Sequence, residues 1–207
     1  IDDIIGGLGR FGITIDEGFI SGNEQKGIYG PYQQSHRAEI YQTYVKDLIK
    51  KGLAYPCFCT AEELEAVRKV QEENKIRTGY HGEYARHRDI TYEEAKALID
   101  EGKPFVVRLR SPGSEENRIT FDDTIKGKIE MPENDEDFVL LKSDGIPTYH
   151  FAHAIDDHLM RTTHVIRGDE WISSVPKHIQ LFKLLGFKVP KFAHVSPIMK
   201  LLSLIHI

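Results

Sequence analysis

Residues 149–171, YHFAHAIDDHLMRTTHVIRGDEW, continued to residue 187 by ISSVPKHIQLFKLLGF, set the fold class of this 207-residue chain. His164–Gly168 is a short run with β-branched residues that stops at a glycine, the pattern of a strand. After a polar loop, residues 176–185 carry apolar side chains at helical spacing, with Ser174 as the expected N-cap and Pro176 in the first turn, where proline is tolerated. A strand whose C-terminal end opens through a loop into a helix is half of an α/β unit, and ligands of open α/β sheets collect at that end. The same stretch holds Tyr149, His150, His153, Asp156, Asp157, His158, His164, Arg167, Asp169 and Glu170. One reading is a metal site, since His and Asp at spacings of three and four share a helical face. No HExxH-like pattern supports it. A second is a solvated helix with satisfied polar groups. A third places Arg167 beside Tyr149 as a site for a carboxylated small ligand, because arginine offers a bidentate fork and tyrosine a hydroxyl on a rigid ring.

Outward from this stretch, residues 38–51 place Ile40, Tyr44, Val45, Leu48 and Ile49 on one helical face, with Gly52 as the stop. Thr60 with Glu63, and Thr91 with Glu94, are capping boxes that open two further helices, the second ending at Gly102. Residues 105–110 (FVVRLR) and 138–142 (FVLLK) are expected strands, and 125–130 (IKGKIE) a hairpin arm or strand. Residues 1–20 suggest a helix and turn around Ile4, Ile5 and Leu8, and residues 18–31, rich in Gly, Asn and Gln, an exposed loop.

Composition narrows the function classes. With 27 basic against 32 acidic residues the net charge is −5, which disfavours a wholly electrostatic nucleic-acid binder. At 40% hydrophobic and 29% charged, the chain is expected to bury a real core in one or two domains. No apolar run approaches the roughly 18 residues of a membrane span, and Ile1-Asp2-Asp3 offers no signal-peptide start, so a cytoplasmic protein without a membrane partner is expected. Cys57 and Cys59, two positions apart, form no disulfide framework and point to a reducing compartment or a metal site.

Residues 143–171 with their continuation resemble the catalytic segment of bacterial glutamyl-tRNA synthetases, which are class I aminoacyl-tRNA synthetases. GPYQQSHR at 30–37, AYPCFCTAEE at 54–63, and FVVRLR with the later FDDTIKG follow in the family's order. The resemblance spans residues 1 to about 200. It implies an α/β fold: a Rossmann-like class I catalytic domain, incomplete here, interrupted by an α+β acceptor-stem-binding insertion, the connective peptide. The implied parts are a first catalytic piece at 1–53, the insertion at 54–136, a second catalytic piece at 137–200, and a tail at 201–207 that matches nothing in the family. The HIGH signature would lie upstream and the KMSKS-like loop downstream, so the chain is expected to be an internal fragment, inactive alone.

The reaction so implied is ATP-dependent activation of L-glutamate to glutamyl-adenylate, with Mg2+ accompanying ATP, and transfer to the 3′ end of tRNA-Glu; a monomer is expected. In the family glutamate is held by a Tyr and an Arg matching Tyr149 and Arg167, with a polar residue four beyond the Tyr, here His153. Glu170 and Trp171 fall at the family's ATP site. Some members bind zinc through a Cys-x-Cys pair, a Tyr and a nearby Cys. Cys57, Cys59 and Tyr80 match, but Tyr84 stands where the last Cys would be; His81 and His87 are the available substitutes, and zinc is not expected. Arg86 and Arg88, with Arg108 and Arg110 on one strand face, are candidates for tRNA contact, against ordinary ion pairing. Gln33 to Arg37 form a polar helix entry whose simplest role is capping. Two alternatives are a noncatalytic acceptor-stem-binding module and a tRNA-modifying glutamyl synthetase relative, the latter disfavoured by the long insertion.

Overall fold

The computed structural model describes residues 2–197; the unmatched tail at 201–207 lies outside the described residues. Helix α1, Asp2–Arg10, forms where Ile4, Ile5 and Leu8 predict it, but none of its residues is buried. The expected loop after it contains a small antiparallel hairpin, β1 (Gly18–Phe19) with β2 (Gln25–Lys26).

Helix α2, Ala38–Lys50, is the helix the periodicity predicts, and Gly52 leaves it at φ 70°, a conformation glycine adopts without a Cβ clash. Its inward stripe is Tyr41, Val45 and Leu48, spaced i, i+4, i+7; Ile49, expected inside, is 38% exposed. β3 (Ala54–Cys57) leads to α3 (Ala61–Glu73), which opens on the Thr60–Glu63 capping box. The Thr91–Glu94 box opens α4 (Tyr92–Asp100) in the same way. Each box satisfies two backbone N–H groups that the first helical turn leaves unpaired.

β4 (Val106–Leu109) is followed by the hairpin of β5 (Arg118–Asp123) and β6 (Gly127–Pro132). The strand expected from residue 125 therefore starts two residues later. Ile125 belongs to the turn, where its N–H and that of Lys126 donate to the Asp123 carboxylate at 3.0 and 2.9 Å. β7 (Val139–Leu141), α5 (Tyr149–Leu159), β8 (His164–Gly168), α6 (Val175–Leu185) and β9 (Lys191–Val195) complete the order. Ser174 does not cap α6 with its side chain. Residues Asp169–Ser174 already form a 3-10 turn that runs into the helix, so Ser174 sits in helical backbone at φ −87°, ψ −12°.

Two larger sheets result: antiparallel β3-β4-β7, and mixed β6-β5-β9-β8 with β9 parallel to both β5 and β8. The β8-α6-β9 unit is thus the α/β unit read from the sequence, now with both strands. Both sheets cross the boundary expected at 136/137, since β7 pairs with β4 and β5 pairs with β9. The largest core does so too, joining Tyr41, Val45 and Leu48 of α2 to Val107 and Leu109, Leu140, Phe151 and Ile155 of α5, and Leu181 and Phe182 of α6. A smaller core of Phe121, Val175, Ile179 and Phe192 seats α6 on β5 and β9. Together they hold α5 and α6 on one face of the β8–β9 pair.

Candidate functional site

In the parallel register of β8 and β9, Arg167 is the direct partner of His194. Facing residues of paired strands project to the same side, here the side covered by α5 and α6. Ile166, one residue before Arg167, points the other way and is 72% exposed. α6 brings in His178, fully buried on its apolar face, and α5 brings Tyr149, His150 and His153.

The Arg167 guanidinium is held on three sides. Nε donates to His194 Nε2 at 3.0 Å, Nη1 to His178 Nδ1 at 3.2 Å, and Nη2 to the Trp171 carbonyl at 3.3 Å. Arginine only donates, so both imidazole nitrogens facing it are unprotonated acceptors, which sets both tautomers. His178 then donates from Nε2 to His150 Nδ1 at 2.9 Å, and His194 from Nδ1 to Asp123 Oδ2 at 2.6 Å. Charge on the rings of His150, His153 and His178 is disfavoured by burial first, with Arg167 adding to it. His150 and His153 are pushed down to about 4, and His178 falls far below the usual histidine range. Asp123 is the counter-case: burial works against its charge, but the N–H groups of Lys126 and Ile125 and the His194 ring and backbone N–H outweigh that and hold it at about 2.

Around this core, Tyr149 stacks on His153 with centroids 5.7 Å apart and planes 7° apart, and meets Trp171 at 4.7 Å. Tyr149 is 48% exposed, while the His153 side chain is nearly buried and its Nε2 has no protein partner. Asp157 Oδ2 lies 3.0 Å from His153 Nδ1 but off the line a hydrogen bond needs, and burial pushes its carboxyl up to about 6. The exposed Glu170 carboxylate folds back over Gly168, into space a β-carbon there would fill.

Asp156 turns away from this group. It accepts from Arg37 Nε at 2.9 Å and from Tyr41 Oη at 2.7 Å, and Arg37 also donates to the carbonyl of Pro31 at 3.0 Å. Arg37 is therefore a buried tie between the 30–37 segment and α5, not a helix cap.

A second polar cluster lies under β3. Tyr80 Oη stands 3.3 Å from Cys57 Sγ and 3.5 Å from Cys59 Sγ, and His87 Nδ1 stands 3.7 and 3.3 Å from the same two sulfurs. Tyr84 instead packs edge-on against His81 at 6.2 Å. Burial pushes the Cys59 thiol up and, with the Arg86 charge, His87 down. Beside it, Asp137 is fully buried, accepting from Tyr55 Oη at 2.6 Å, from the Ser111 N–H at 2.8 Å, and from Arg88. Arg108 lies 3.9 Å over the Tyr80 ring, donates to the Asp137 carbonyl at 3.0 Å and is 6% exposed.

The residues match, over 1–203, the family model described as tRNA synthetases class I (E and Q), catalytic domain. This chain belongs to that family. The synthetase chain is similar to the glutamate–tRNA ligases of Clostridium beijerinckii, at 58% identity over 97% of this chain and 36% of that protein, and of Clostridium perfringens, at 55% over 97% and 37%. It superposes on the crystal structure of a glutamate tRNA ligase from Elizabethkingia meningosepticum in complex with its amino acid, with TM-score 0.82 and 40% identity, over 95% of this chain and 39% of that one. The Rossmann-like class I catalytic fold is thereby shown, and the chain spans little more than a third of the length of these relatives.

Of the residues read from the synthetase sequence, Tyr149, His153, Arg167 and Trp171 come together, and Glu170 sits at their edge. The metal reading of 149–171 gains nothing: among the described residues, the metal-type grouping is Cys57, Cys59 and His87. Arg108 is turned inward, so the strand face it was to share with Arg110 is no solvent surface there; Arg86 and Arg110 keep exposed area, paired to Glu63 at 2.7 Å and Asp89 at 2.8 Å. Sequence reasoning missed His178, His194 and Asp123. His178 is a polar residue on an otherwise apolar helical face, a faint signal; Asp123 and His194 are 71 residues apart and share none.

Proposed function

We propose that this chain is the part of a glutamate–tRNA ligase that recognises the amino acid and borders the nucleotide. The observation that carries this is the guanidinium of Arg167, part-buried yet held only by neutral acceptors. Its three protein bonds use three of five N–H groups, leaving one on each terminal nitrogen, the number a carboxylate accepts in a bidentate pair. L-Glutamate offers that carboxylate. A neutral glutamine, closing over this part-buried charge, would leave it unpaired, a penalty on the order of a few kcal/mol. His153 Nε2, buried and free of protein partners, is a second polar atom for the ligand, and Tyr149 with Trp171 supplies an aromatic wall.

In the whole enzyme, glutamate would attack the α-phosphate of ATP, Mg2+ would neutralise phosphate charge, and the tRNA-Glu terminal ribose would take the activated carbonyl. Little covalent chemistry falls to the protein, so positioning dominates. Glu170 and Trp171 would border ATP. Residues 54–136 would form the insertion that meets the acceptor stem, with Arg86 and Arg110 as its basic contacts and Arg88 and Arg108 as its internal braces. Cys57, Cys59, Tyr80 and His87 fit a structural zinc ion, because the expected gap at Tyr84 is filled by His87 and two thiols, an imidazole and a phenol converge. Zinc would close that loop, and metal analysis of protein purified without chelator tests it. A monomer acting in the cytoplasm fits this reading; no helix among the described residues is long and apolar enough to cross a membrane.

ATP–pyrophosphate exchange with glutamate and added tRNA, on this chain and on the chain extended at both ends to the length of its relatives, tests the proposal. Exchange in the extended protein is the expected result. No exchange in either, with acceptor-stem RNA still bound, would point to a noncatalytic module.

A further inference from the structure

The bond that aims Arg167 depends on a residue outside its own neighbourhood. His194 is fully buried, and Arg167 Nε–H can donate to it only while its Nε2 carries no proton. The proton must then sit on Nδ1, which points at Asp123 Oδ2, 2.6 Å away. Asp123 is itself fully buried and cannot turn: the N–H groups of Ile125 and Lys126 lock Oδ1 at 3.0 and 2.9 Å, and the His194 N–H lies 3.1 Å from Oδ2. The β5–β6 turn thus presents one carboxylate oxygen to the imidazole in a single orientation.

We propose that Asp123 and His194 are positioning residues for substrate binding: the Asp123 carboxylate fixes His194 in its Nδ1–H tautomer, and Nε2 then anchors Arg167 Nε so that its two free N–H groups face the ligand carboxylate. The proposal rests on Arg167 being the carboxylate-binding residue. Interposing a neutral ring has a consequence that direct contact would not have. A carboxylate on Arg167 would compete with the substrate for the same charge, whereas the ring orients the guanidinium and leaves its charge for the ligand. The charge of Asp123, held at about 2, is present throughout the working pH range.

Asp123→Asn tests this with nearly no change in size. The locked N–H groups demand an acceptor at Oδ1, which puts the new NH2 at the Oδ2 position, facing His194 Nδ1. The ring must then move its proton to Nε2, and two donors meet at Arg167 Nε. In the length-extended ligase, Asp123→Asn is expected to raise the glutamate KM at least about tenfold, with the ATP KM within about twofold. Nitrogen NMR of the His194 ring in the 207-residue chain is expected to switch from Nδ1–H to Nε2–H. An unchanged glutamate KM for Asp123→Asn, where Arg167→Ala raises it, overturns the positioning role and leaves the Arg167 reading standing. If Arg167→Ala also leaves it unchanged, both fall. Should Asp123→Asn fail to fold, His194→Gln and His194→Leu decide: glutamine can donate to Asp123 and accept from Arg167, leucine can do neither. A KM for leucine at least about tenfold above that for glutamine supports the proposal, and equal values overturn it.

Discussion

Asp123 and Asp137 are both fully buried carboxylates near strand arginines, yet they use them in opposite ways. Asp137 touches Arg88 directly, takes the Tyr55 hydroxyl and the Ser111 N–H, and offers its carbonyl to Arg108. The Arg88 charge is paired with the Asp137 carboxylate, Arg108 is tied to the same residue's backbone carbonyl, and both arginines become braces. Asp123 reaches Arg167 only through His194, so the guanidinium is oriented but not neutralised. One interposed imidazole separates a structural ion cluster from the cation proposed to meet a ligand. A buried ion pair is costly to break because the survivor remains desolvated and unpaired, whereas a part-buried cation flanked by neutral acceptors can still take an anion.

Breaking the structural member has the largest expected effect. Asp137→Ala strands Arg88 and leaves the Tyr55 hydroxyl and the Ser111 N–H without their acceptor, so urea denaturation of the chain should show a loss of about 3–5 kcal/mol. A loss under about 1 kcal/mol would mean the cluster is not a brace. Asp157 supplies a third case, a largely buried carboxyl with a histidine beside it and no arginine bond. Its folded-state value near 6 lies above the ordinary 3.8, so the protonated form is favoured on folding. That contribution is complete below the unfolded value and is lost as pH rises through about 6. Asp157→Asn should therefore gain stability relative to the parent between pH 4 and 7, by about 1–3 kcal/mol, and a pH-independent difference would show that the carboxyl is not held neutral.

Next in size, Arg167→Ala in the extended enzyme should raise the glutamate KM at least about tenfold, about 1.4 kcal/mol, with tRNA affinity nearly unchanged. Arg167→Lys should do little better, since an ammonium cannot hold His194, His178 and a bidentate ligand together. The smallest effect on stability belongs to Arg86→Ala, whose partner Glu63 is exposed with it. Melting should report less than about 0.5 kcal/mol, while acceptor-stem affinity drops and its salt dependence weakens. Unchanged affinity and salt slope would return Arg86 to ordinary surface pairing.

Much of the local structure was legible in the linear pattern. The two capping boxes, Gly52, the 38–51 periodicity and His164–Gly168 depend on interactions within a few residues, and the chain carries them wherever it goes. The Ser174 cap failed because a 3-10 turn, stabilised by its neighbours, had already supplied the helical backbone. Tyr149, His153, Arg167 and Trp171 were legible as a group because they lie within 23 residues and carry the family pattern. The sequence by itself therefore determined the main helices, several of the strands, the family and the group of residues proposed to face a ligand. Only the tertiary structure decided which arginine keeps N–H groups free for the proposed ligand. Arg108 and Arg167 look alike as strand arginines, and what separates them is their surroundings: Arg108 is turned into the interior over the Tyr80 ring and bonds the Asp137 backbone carbonyl, whereas Arg167 stays part-exposed and is tied to Asp123 only through His194 from the β5–β6 turn. Desolvation and hydrogen-bond direction act between groups close in space, and neither is written in the order of the residues.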